Sequence, residues 1–359
     1  MEEQNNKARV GIRGIAGLLG SRLVNAITMP DTEDLSLEVG VVIPDKSLET
    51  FLNRGNLIRG FSERLPVKMF MQSNKSSTRE NELLKEWNAK QDVVSFLGSS
   101  QLNWKRHCDV IIDTAYPAGR EIFEQQYKNF PGIILLQDGA APDGHLIVPP
   151  FMGKFEKTTM FRMGDCILSG VIPILYPFRD MAEKIKLHMI TQYTGREPDY
   201  LIAERAQSFF LREDVRERVE KDLELLFPLQ EIEISQVVQI PSILHYQATI
   251  EIELKETISN GDLREMISEM PRIKMLPQGI SSTYDVNLAR SMKDSIPPIM
   301  IFQSSLYPKP RQKSTKVRIS AAIYYRTAAV LPNLDAIRIL KGGMDPLSAM
   351  RETDRLMGF

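Results

Sequence analysis

The pattern of apolar and polar positions changes near the middle of the chain. Before residue 150, short apolar runs alternate with helical patterns such as 77–89 and 119–130. The runs are ARVGIR (8–13), LEVGVVI (37–43), LPVKMFM (65–71), DVVSFLG (92–98), CDVIIDTA (108–115) and GIILLQ (132–137). Several are apolar throughout, which is typical of strands buried on both faces of a parallel sheet. This half is therefore predicted to form a doubly wound α/β domain.

The second half shows the alternation of an antiparallel sheet. In TIEIEL (249–254), isoleucine and leucine alternate with glutamate, which predicts one buried and one exposed face. Further strands are predicted at KLHMITQY (186–193), IEIS (232–235), RIKML (272–276), PIMIFQSS (298–305) and KVRISAAIYY (316–325). A long charged helix is predicted over 203–226, with an apolar stripe formed by Phe209, Val215, Val219, Leu223 and Leu226.

These patterns predict an α/β fold with two domains. The first, with a doubly wound parallel sheet, covers residues 1–164, and the second, an α+β domain with a mostly antiparallel sheet, covers 165–331. Two helical patterns, interrupted by Gly342 and Gly343, end the chain. The C-terminal segment 332–359 is expected to complete the first domain.

Composition narrows the function classes. Among 359 residues, 45 lysines and arginines nearly balance 46 aspartates and glutamates. The chain therefore has no large positive net charge that would favour binding to nucleic acid or to an anionic membrane. The longest apolar stretch (166–178) is short and contains two prolines, and the N-terminus lacks the features of a signal peptide. Two cysteines exclude a disulfide framework and a cysteine-rich metal site. We expect a cytoplasmic protein without nucleic-acid, membrane or metal partners.

Three glycines lie between the first predicted strand and the first predicted helix. Glycine permits positive φ in a tight turn, close approach of a pyrophosphate and close packing of the helix. The spacing is GxxGxxG, whereas GxGxxG is the commoner fingerprint. We interpret the turn as a dinucleotide site, and the alternative is a glycine-rich turn without a ligand. Cofactor contacts are expected at Gly14, Ile15, Ala16, Gly17, Leu18 and Gly20.

An acidic residue after the second strand would hold the ribose of a dinucleotide. Asp45 lies two residues beyond that apolar run, and Lys46 beside it could meet a 2′-phosphate. A solvated turn after Pro44 is the alternative. The choice between NAD and NADP therefore stays open.

Cys166 precedes a helical pattern at the point where the sheet type changes. Helix N-terminal amides depress the pKa of a thiol there and could also donate to an oxyanion. Asp165 acts in the opposite direction, since it disfavours a second negative charge. The alternative is a small buried apolar residue, which is the interpretation given to Cys108.

Several segments resemble the glyceraldehyde-3-phosphate dehydrogenase superfamily, most closely its archaeal-type branch. These are CDVIIDTAYPAG, ILLQDGA, GDCILSGVIPILYPF and AAIYYRTAAVLPNLDAIRIL. The resemblance implies a Rossmann-type domain, a catalytic second domain, a homotetramer, and NAD(P)-dependent oxidation of an aldehyde or the reverse reduction. A covalent cysteine thioester and release of an acyl phosphate are also implied. It adds Thr114, Ala115 and Gln137 as cofactor contacts and Ser169 as a substrate contact.

The chain departs from that branch at several positions. Ile167-Leu168-Ser169 replaces Asn-Thr-Thr after the cysteine, and Ala321-Ala322 replaces Asn-Glu before the last strand ends. The paired histidines have no counterpart in QSFFLRED, and Arg196 is the nearest candidate for the paired arginines that bind substrate. The substrate is therefore expected to differ from glyceraldehyde 3-phosphate.

Histidine is the usual general base near neutral pH. Of the four histidines, His245 is chosen as the candidate base and His188 is the alternative, and either could instead be structural. The basic segment 309–318 could bind an anion or form a solvated loop.

Three functional hypotheses follow. The first is an oxidoreductase that acts on an aldehyde, acyl phosphate or thioester through Cys166. The second is a noncatalytic, nucleotide-binding scaffold, which Ala321-Ala322 and the missing base favour. The third is a reductase of the same fold that transfers hydride directly, without a thiol.

Overall fold

The structure, a computed structural model, describes most of the chain. The described residues are 7–43, 68–73, 77–90, 95–115, 127, 129–137, 145–152, 160–192, 210–240, 245–280 and 297–359. The chain divides into two compact units. The first comprises Met1–Ile147, Gly153–Gly164 and Ala336–Met344, and the second comprises Val148–Met152, Asp165–Asp335 and Asp345–Phe359.

Among the described residues, the larger sheet has nine strands. They are β1 (Ala8–Arg13), β2 (Leu35–Val42), β3 (Lys68–Met71), β4 (Phe96–Gly98), β5 (Val110–Asp113), β6 (Ile133–Leu136), β7 (His145–Val148), β8 (Phe151–Met152) and β9 (Met160–Met163). Their order is β4-β3-β2-β1-β5-β6-β9-β7-β8, and seven of the eight neighbouring pairs are parallel. The prediction of a parallel sheet is confirmed.

The strand order reverses direction between β1 and β5. Strands β2, β3 and β4 extend to one side of β1, while β5 and β6 extend to the other. Such a point in an open α/β sheet leaves a crevice outside the carboxyl ends of the two strands. The part of this unit that the structure describes also contains the helices α1 (Leu18–Ile27), α2 (Ser77–Lys90) and α3 (Trp104–His107).

The second sheet is mixed and mostly antiparallel, as predicted. Its strands are β10 (Ala182–Gln192), β11 (Phe210–Leu211), β12 (Glu231–Ile240), β13 (His245–Ser259), β14 (Ile273–Leu276), β15 (Ile299–Phe302) and β16 (Lys313–Tyr324). They lie in the order β11-β12-β10-β13-β16-β15-β14. Four neighbouring pairs are antiparallel and two are parallel.

The two faces of this second sheet follow the alternation along β13. Ile250, Ile252 and Leu254 are buried, while Glu251 accepts from Arg318 Nε at 2.8 Å on the opposite face. Other charge pairs on that face join Lys316 to Glu253 and Lys186 to Glu233. Arg318 and Lys316 belong to the basic segment of the sequence, so part of its charge is neutralised by neighbouring strands.

The helices of the second half are α4 (Cys166–Leu175), α5 (Glu213–Leu226), α6 (Asn260–Ser268), α7 (Tyr325–Ala328), α8 (Leu331–Gly342) and α9 (Pro346–Leu356). The helix predicted over 203–226 is too long, because residues 210 and 211 pair with β12 as a strand. Residues 203–209 lie outside the described ranges. The stripe of Val215, Val219 and Leu223 is buried as predicted.

The last helix differs from its predicted assignment to the first domain. Residues Asp345–Phe359 belong to the second unit, where a buried polar network holds α9. Arg272 donates to Asp335 and, through Nε at 3.3 Å, to Asp354 Oδ1. Thr353 Oγ1 donates to Asp335 Oδ1 at 2.5 Å. These bonds tie α9 to α8 and to the turn before β14.

Within the described ranges, no helix combines the length and the hydrophobicity that crossing a membrane requires.

The network predicts a pH-dependent stability of the second unit. Burial, together with the charge of Asp335, raises the pKa of Asp354 from 3.8 to about 6 against the opposing effect of Arg272. Because the folded pKa is raised, this carboxyl contributes stability that is complete below pH 3.8 and is lost as the pH rises through about 6. Relative to Asp354→Asn, the wild-type free energy of unfolding should fall by about 2 kcal/mol between pH 4.5 and 7.5.

Urea unfolding followed by circular dichroism at both pH values measures this difference. Asp180→Asn is the control, because that side chain is 81% exposed and its replacement should give no comparable change. An equal pH dependence in wild type and Asp354→Asn would contradict the prediction.

Candidate functional site

The predicted glycine turn follows β1 directly. Gly14 has φ +82°, and its N–H and that of Ile15 donate to the Val41 carbonyl oxygen at 2.8 and 3.1 Å. A Cβ at Gly14 would lie 2.6 Å from Thr114 Oγ1. Both the backbone angle and the space therefore require glycine here.

The other two glycines set the start of helix α1. A Cβ at Gly20 would lie 2.3 Å from the Gly14 carbonyl oxygen, so the helix packs tightly on the turn. Gly17 is the N-cap of α1, and no side chain caps the helix there. A helix start without a side-chain cap leaves its first amides available to an anion. The geometry matches that of a phosphate-binding turn.

Two of the other predicted cofactor residues lie beside this turn. Thr114 Oγ1 donates to the carbonyl oxygens of Arg13 and Gly14 at 2.9 and 3.1 Å. Ala115 follows it, and its N–H donates to Asp113 Oδ1 at 2.9 Å. The structure thus brings Thr114 and Ala115 to the turn, with the Thr114 hydroxyl used to hold the turn's backbone.

Gln137 follows β6, and its N–H donates to the Asp113 carbonyl oxygen at 2.9 Å. It therefore lies at the same carboxyl edge of the sheet as Thr114. The predicted cofactor residues Asp45 and Lys46 and the predicted substrate contact Arg196 lie outside the described ranges.

Sequence reasoning missed a buried ion pair at this edge. Arg13 Nη1 donates to both carboxylate oxygens of Asp113 at 3.0 Å, and the two side chains are 1% and 0% exposed. Arg13 Nε also donates to Gln72 Oε1 at 2.9 Å, just beyond β3. The available signal was a charged residue at the end of each of two otherwise apolar runs.

Cys166 is the first residue of α4, so it lies at the start of the helix that the sequence predicted after it. The N-cap Asp165 accepts the N–H groups of Ile167 and Leu168 through Oδ1, both at 2.9 Å. Asp165 Oδ2 also accepts from Arg218 at 3.0 Å. The expectation that these helix amides serve an oxyanion is wrong, because the Asp165 carboxylate already occupies the amides of Ile167 and Leu168.

The expected depression of the Cys166 pKa is also wrong. Burial of the sulfur, followed by the charge of Asp165, raises that pKa to about 12 from 9.0, against opposing effects of Tyr246, the cysteine's own amide and Arg218. At neutral pH the side chain is therefore a thiol. Cys108 is buried in the first unit, as predicted, and its burial raises its pKa to about 12.

Tyr246 is a neighbour of the Cys166 thiol that sequence reasoning missed. Its Oη lies 2.7 Å from Cys166 Sγ, and either atom can be the donor. Tyr246 is 2% exposed and lies on the buried face of β13, in phase with Ala248 and Ile250. A buried tyrosine hydroxyl usually has a hydrogen-bond partner. A tyrosine on the apolar face of a predicted strand was therefore the available signal for a polar contact here.

The structure does not bring His245 to Cys166. Neighbouring residues of a strand point to opposite faces, so His245 faces away from the thiol that Tyr246 contacts. Its ring packs on Tyr324, with centroids 5.5 Å apart. His188 pairs with Thr249 and lies on the same face as His245. The side chain that contacts the Cys166 sulfur is therefore that of Tyr246, the next residue of the strand, and not that of His245.

Ser169, the other predicted substrate contact, lies one helical turn after Cys166 and is buried. Its N–H donates to the Asp165 carbonyl oxygen at 2.9 Å. The described residues contain no group of three or more histidine, cysteine, aspartate or glutamate side chains arranged to hold a metal ion.

Known proteins resemble this chain in sequence over part of its length. No protein-family model matches it. A glyceraldehyde-3-phosphate dehydrogenase from Saccharolobus solfataricus is 31% identical over 128 residues, which cover 33% of this chain and 35% of that protein. The same enzyme from Methanobacterium bryantii is 29% identical over 127 residues, covering 33% and 36%. The match spans about a third of the length of these curated relatives.

Solved structures resemble nearly the whole chain. A probable aspartate-semialdehyde dehydrogenase from Pseudomonas aeruginosa has a TM-score of 0.64 at 10% identity, covering 94% of this chain and 98% of that one. Aspartate semialdehyde dehydrogenase II from Vibrio cholerae, complexed with ASA, gives 0.57 at 11%, covering 94% and 100%. The partial sequence match agrees with the resemblance to glyceraldehyde-3-phosphate dehydrogenases, and the solved structures confirm the predicted fold class.

The Tyr246 contact predicts the reactivity of the thiol. Because the Tyr246 hydrogen bond lowers the pKa of Cys166, Tyr246→Phe should slow alkylation of Cys166 by iodoacetamide about tenfold at pH 8, which corresponds to the loss of one hydrogen bond. Peptide mapping by mass spectrometry separates Cys166 from Cys108.

Tyr324→Phe is the matched control, since Tyr324 lies on the opposite face and should leave the rate unchanged. A Tyr246→Phe protein that reacts as fast as wild type or faster would contradict the prediction.

Proposed function

We propose that this chain is an NAD(P)-dependent oxidoreductase that acts on an aldehyde or an activated acyl group through Cys166. The observation that carries the proposal is the placement of the Cys166 thiol at the start of α4, with Tyr246 Oη 2.7 Å from its sulfur. The glycine turn of the first unit and the fold shared with aspartate-semialdehyde dehydrogenases support it.

The first unit's turn suits a dinucleotide. A Cβ at Gly14 would overlap Thr114 and a Cβ at Gly20 would overlap the backbone of the turn, so the turn requires glycine there, and no side chain caps the first amides of α1. These residues would hold the pyrophosphate, with Ala115 and Gln137 at the adjoining strand ends. When bound, the nicotinamide supplies the hydride acceptor that turns an adduct on Cys166 into a thioester.

The residues of the second unit account for the covalent step. Attack of Cys166 Sγ on the carbonyl carbon forms an S–C bond, the C=O π electrons move to oxygen, and the thiol proton ends on that oxygen as a hemithioacetal hydroxyl. Tyr246 Oη is at hydrogen-bond distance to take part in that proton transfer. Loss of hydride from the carbon would release the hydroxyl proton to solvent and leave the thioester. A second nucleophile then attacks the thioester carbonyl, the S–C bond breaks, and the sulfur takes up a proton to restore the thiol. In a phosphorylating enzyme that nucleophile is phosphate.

The substrate class follows from the relatives and from the departures in this chain. Aldehydes that carry a phosphate or a carboxylate, with the corresponding acyl phosphates and thioesters, are proposed, with Ser169 and Arg196 as candidate contacts. By the same resemblance we expect a cytoplasmic homotetramer.

A noncatalytic dinucleotide-binding protein is the second candidate. It is favoured by the Asp165 carboxylate, which fills two helix amides beside Cys166, and by the raised pKa of the thiol. A direct hydride transfer that does not use the thiol is the third. Measurements of cofactor affinity and of acylation at Cys166 test cofactor binding and covalent chemistry separately.

The first prediction concerns the turn. Gly14→Ala should weaken binding of NAD⁺ or NADP⁺ at least about tenfold, because positive φ costs alanine about 1–2 kcal/mol and the new methyl group overlaps Thr114. Isothermal titration calorimetry measures this, and thermal unfolding checks the fold. Gly342→Ala is the control, since a Cβ there meets nothing within 4 Å. Equal affinities for wild type and Gly14→Ala would overturn this assignment of the turn.

The second prediction concerns the thiol. Incubation with NAD⁺ or NADP⁺ and either D-glyceraldehyde 3-phosphate or aspartate semialdehyde, without phosphate, should leave an acyl group on Cys166 that intact-mass spectrometry detects. The Cys166→Ser protein should carry none. Cofactor binding by the wild type without any adduct from either probe would favour the noncatalytic candidate.

A further inference from the structure

The buried ion pair of Arg13 and Asp113 lies at the reversal point of the larger sheet. Arg13 is the last residue of β1, Asp113 is the last residue of β5, and the two are directly paired in register. The inference below rests on the proposed function, because it concerns how the turn above this pair receives a dinucleotide.

Stability does not explain the pair. Two charges that are almost completely removed from water lose their hydration energy, and their mutual attraction has to offset that loss. Replacing such a buried pair by uncharged residues is therefore often neutral or stabilising. The strand residues before the pair, Val10, Ile12, Ile111 and Ile112, are all apolar and buried. An apolar continuation of these strands would have completed the core at lower cost.

The contacts of the pair extend into both loops beside the crevice. Asp113 Oδ1 accepts the N–H of Ala115, while Arg13 Nε reaches Gln72 beyond β3. The Arg13 carbonyl oxygen accepts the hydroxyl of Thr114. The side chains of the pair therefore reach the Ala115 backbone beyond β5 and the Gln72 side chain beyond β3, on the two sides of the reversal point.

The pair adds no net charge to the crevice. Arg13 faces both oxygens of one carboxylate at 3.0 Å, so a pyrophosphate at the turn meets a neutral unit below it. Arg13 is therefore not suited to bind a phosphate directly as a cation. The contribution of the pair is instead to hold the neighbouring segments in position.

We propose that the Arg13–Asp113 ion pair is a positioning element for the dinucleotide, which fixes the spacing between the Gly14 turn and the Thr114–Ala115 backbone. Its removal should cost affinity for the cofactor even where the fold is retained.

The chain contains a matched control for this proposal. Arg9 and Asp109 form a second ion pair between the same segments, at 3.0 Å, but at the amino ends of β1 and β5. That pair is 43% and 24% exposed and lies away from the glycine turn. Replacing Arg9 and Asp109 therefore removes an arginine–aspartate pair without changing residues at the carboxyl ends of β1 and β5.

The test compares Arg13→Met/Asp113→Asn with Arg9→Met/Asp109→Asn and with Asp113→Asn alone. Methionine retains length without charge, and asparagine keeps an oxygen for the Ala115 N–H. Thermal unfolding reports the fold, and isothermal titration calorimetry with NAD⁺ and NADP⁺ reports the dissociation constant. We expect the Arg13/Asp113 double variant to melt near the wild type but to bind about tenfold more weakly, while the Arg9/Asp109 variant binds as the wild type does.

The single Asp113→Asn variant separates positioning from electrostatics. It leaves Arg13 positive beneath the phosphates, so a positioning role predicts weaker binding, whereas an electrostatic role predicts tighter binding. Wild-type affinity in the Arg13/Asp113 double variant, or a gain in Asp113→Asn, would overturn the inference alone. A wild type that binds neither NAD⁺ nor NADP⁺ would overturn the proposed function together with the inference.

Discussion

Desolvation of the Cys166 sulfur is the constraint on which the proposed chemistry depends. Burial and the neighbouring Asp165 keep the side chain protonated, although it starts a helix. Helix starts usually favour a thiolate because their amides are available, but here Asp165 takes the amides of Ile167 and Leu168. Tyr246 Oη lies 2.7 Å from the sulfur, so the hydrogen bonding of the thiol depends on the position of β13.

The first unit depends on close approach of backbone segments. Gly14, at positive φ, lies against Thr114, and Gly20 lies against the carbonyl oxygen of Gly14. These contacts leave the start of α1 without a side-chain cap. One helix start is thus filled by its own aspartate, at Asp165, while the other is open. In the proposed function, the open start of α1 would bind an anion and Cys166, at the start of α4, would carry the thiol chemistry.

The sequence predicted the parts of the molecule that local pattern determines. Continuous apolar runs and the alternation in TIEIEL separated the parallel from the antiparallel sheet, and glycine spacing located the turn. Strands β7, β8 and β9 were missed because no continuous apolar run marks them: Pro149 and Pro150 separate the first two, and Arg162 interrupts the third. The start of α5 was predicted at residue 203, whereas the helix begins at Glu213. The charged sequence before it does not reveal that Phe210 pairs with β12.

The site itself was predictable only in part, for two physical reasons. Arg13 and Asp113 are a hundred positions apart, and only their registry in the sheet brings them together. At β13, a shift of one residue moves a side chain to the other face, so choosing His245 rather than Tyr246 placed the expected base on the wrong face.

Deuterium transfer tests the central claim, namely hydride removal from an adduct on Cys166. Aspartate semialdehyde or glyceraldehyde 3-phosphate deuterated at the aldehyde carbon is incubated with NAD⁺ or NADP⁺, and mass spectrometry follows the label into the reduced nicotinamide. The account predicts transfer by the wild type and none by Cys166→Ala. Equal transfer by both proteins would contradict the account, because the hydride would then leave a substrate that never bonded to the sulfur.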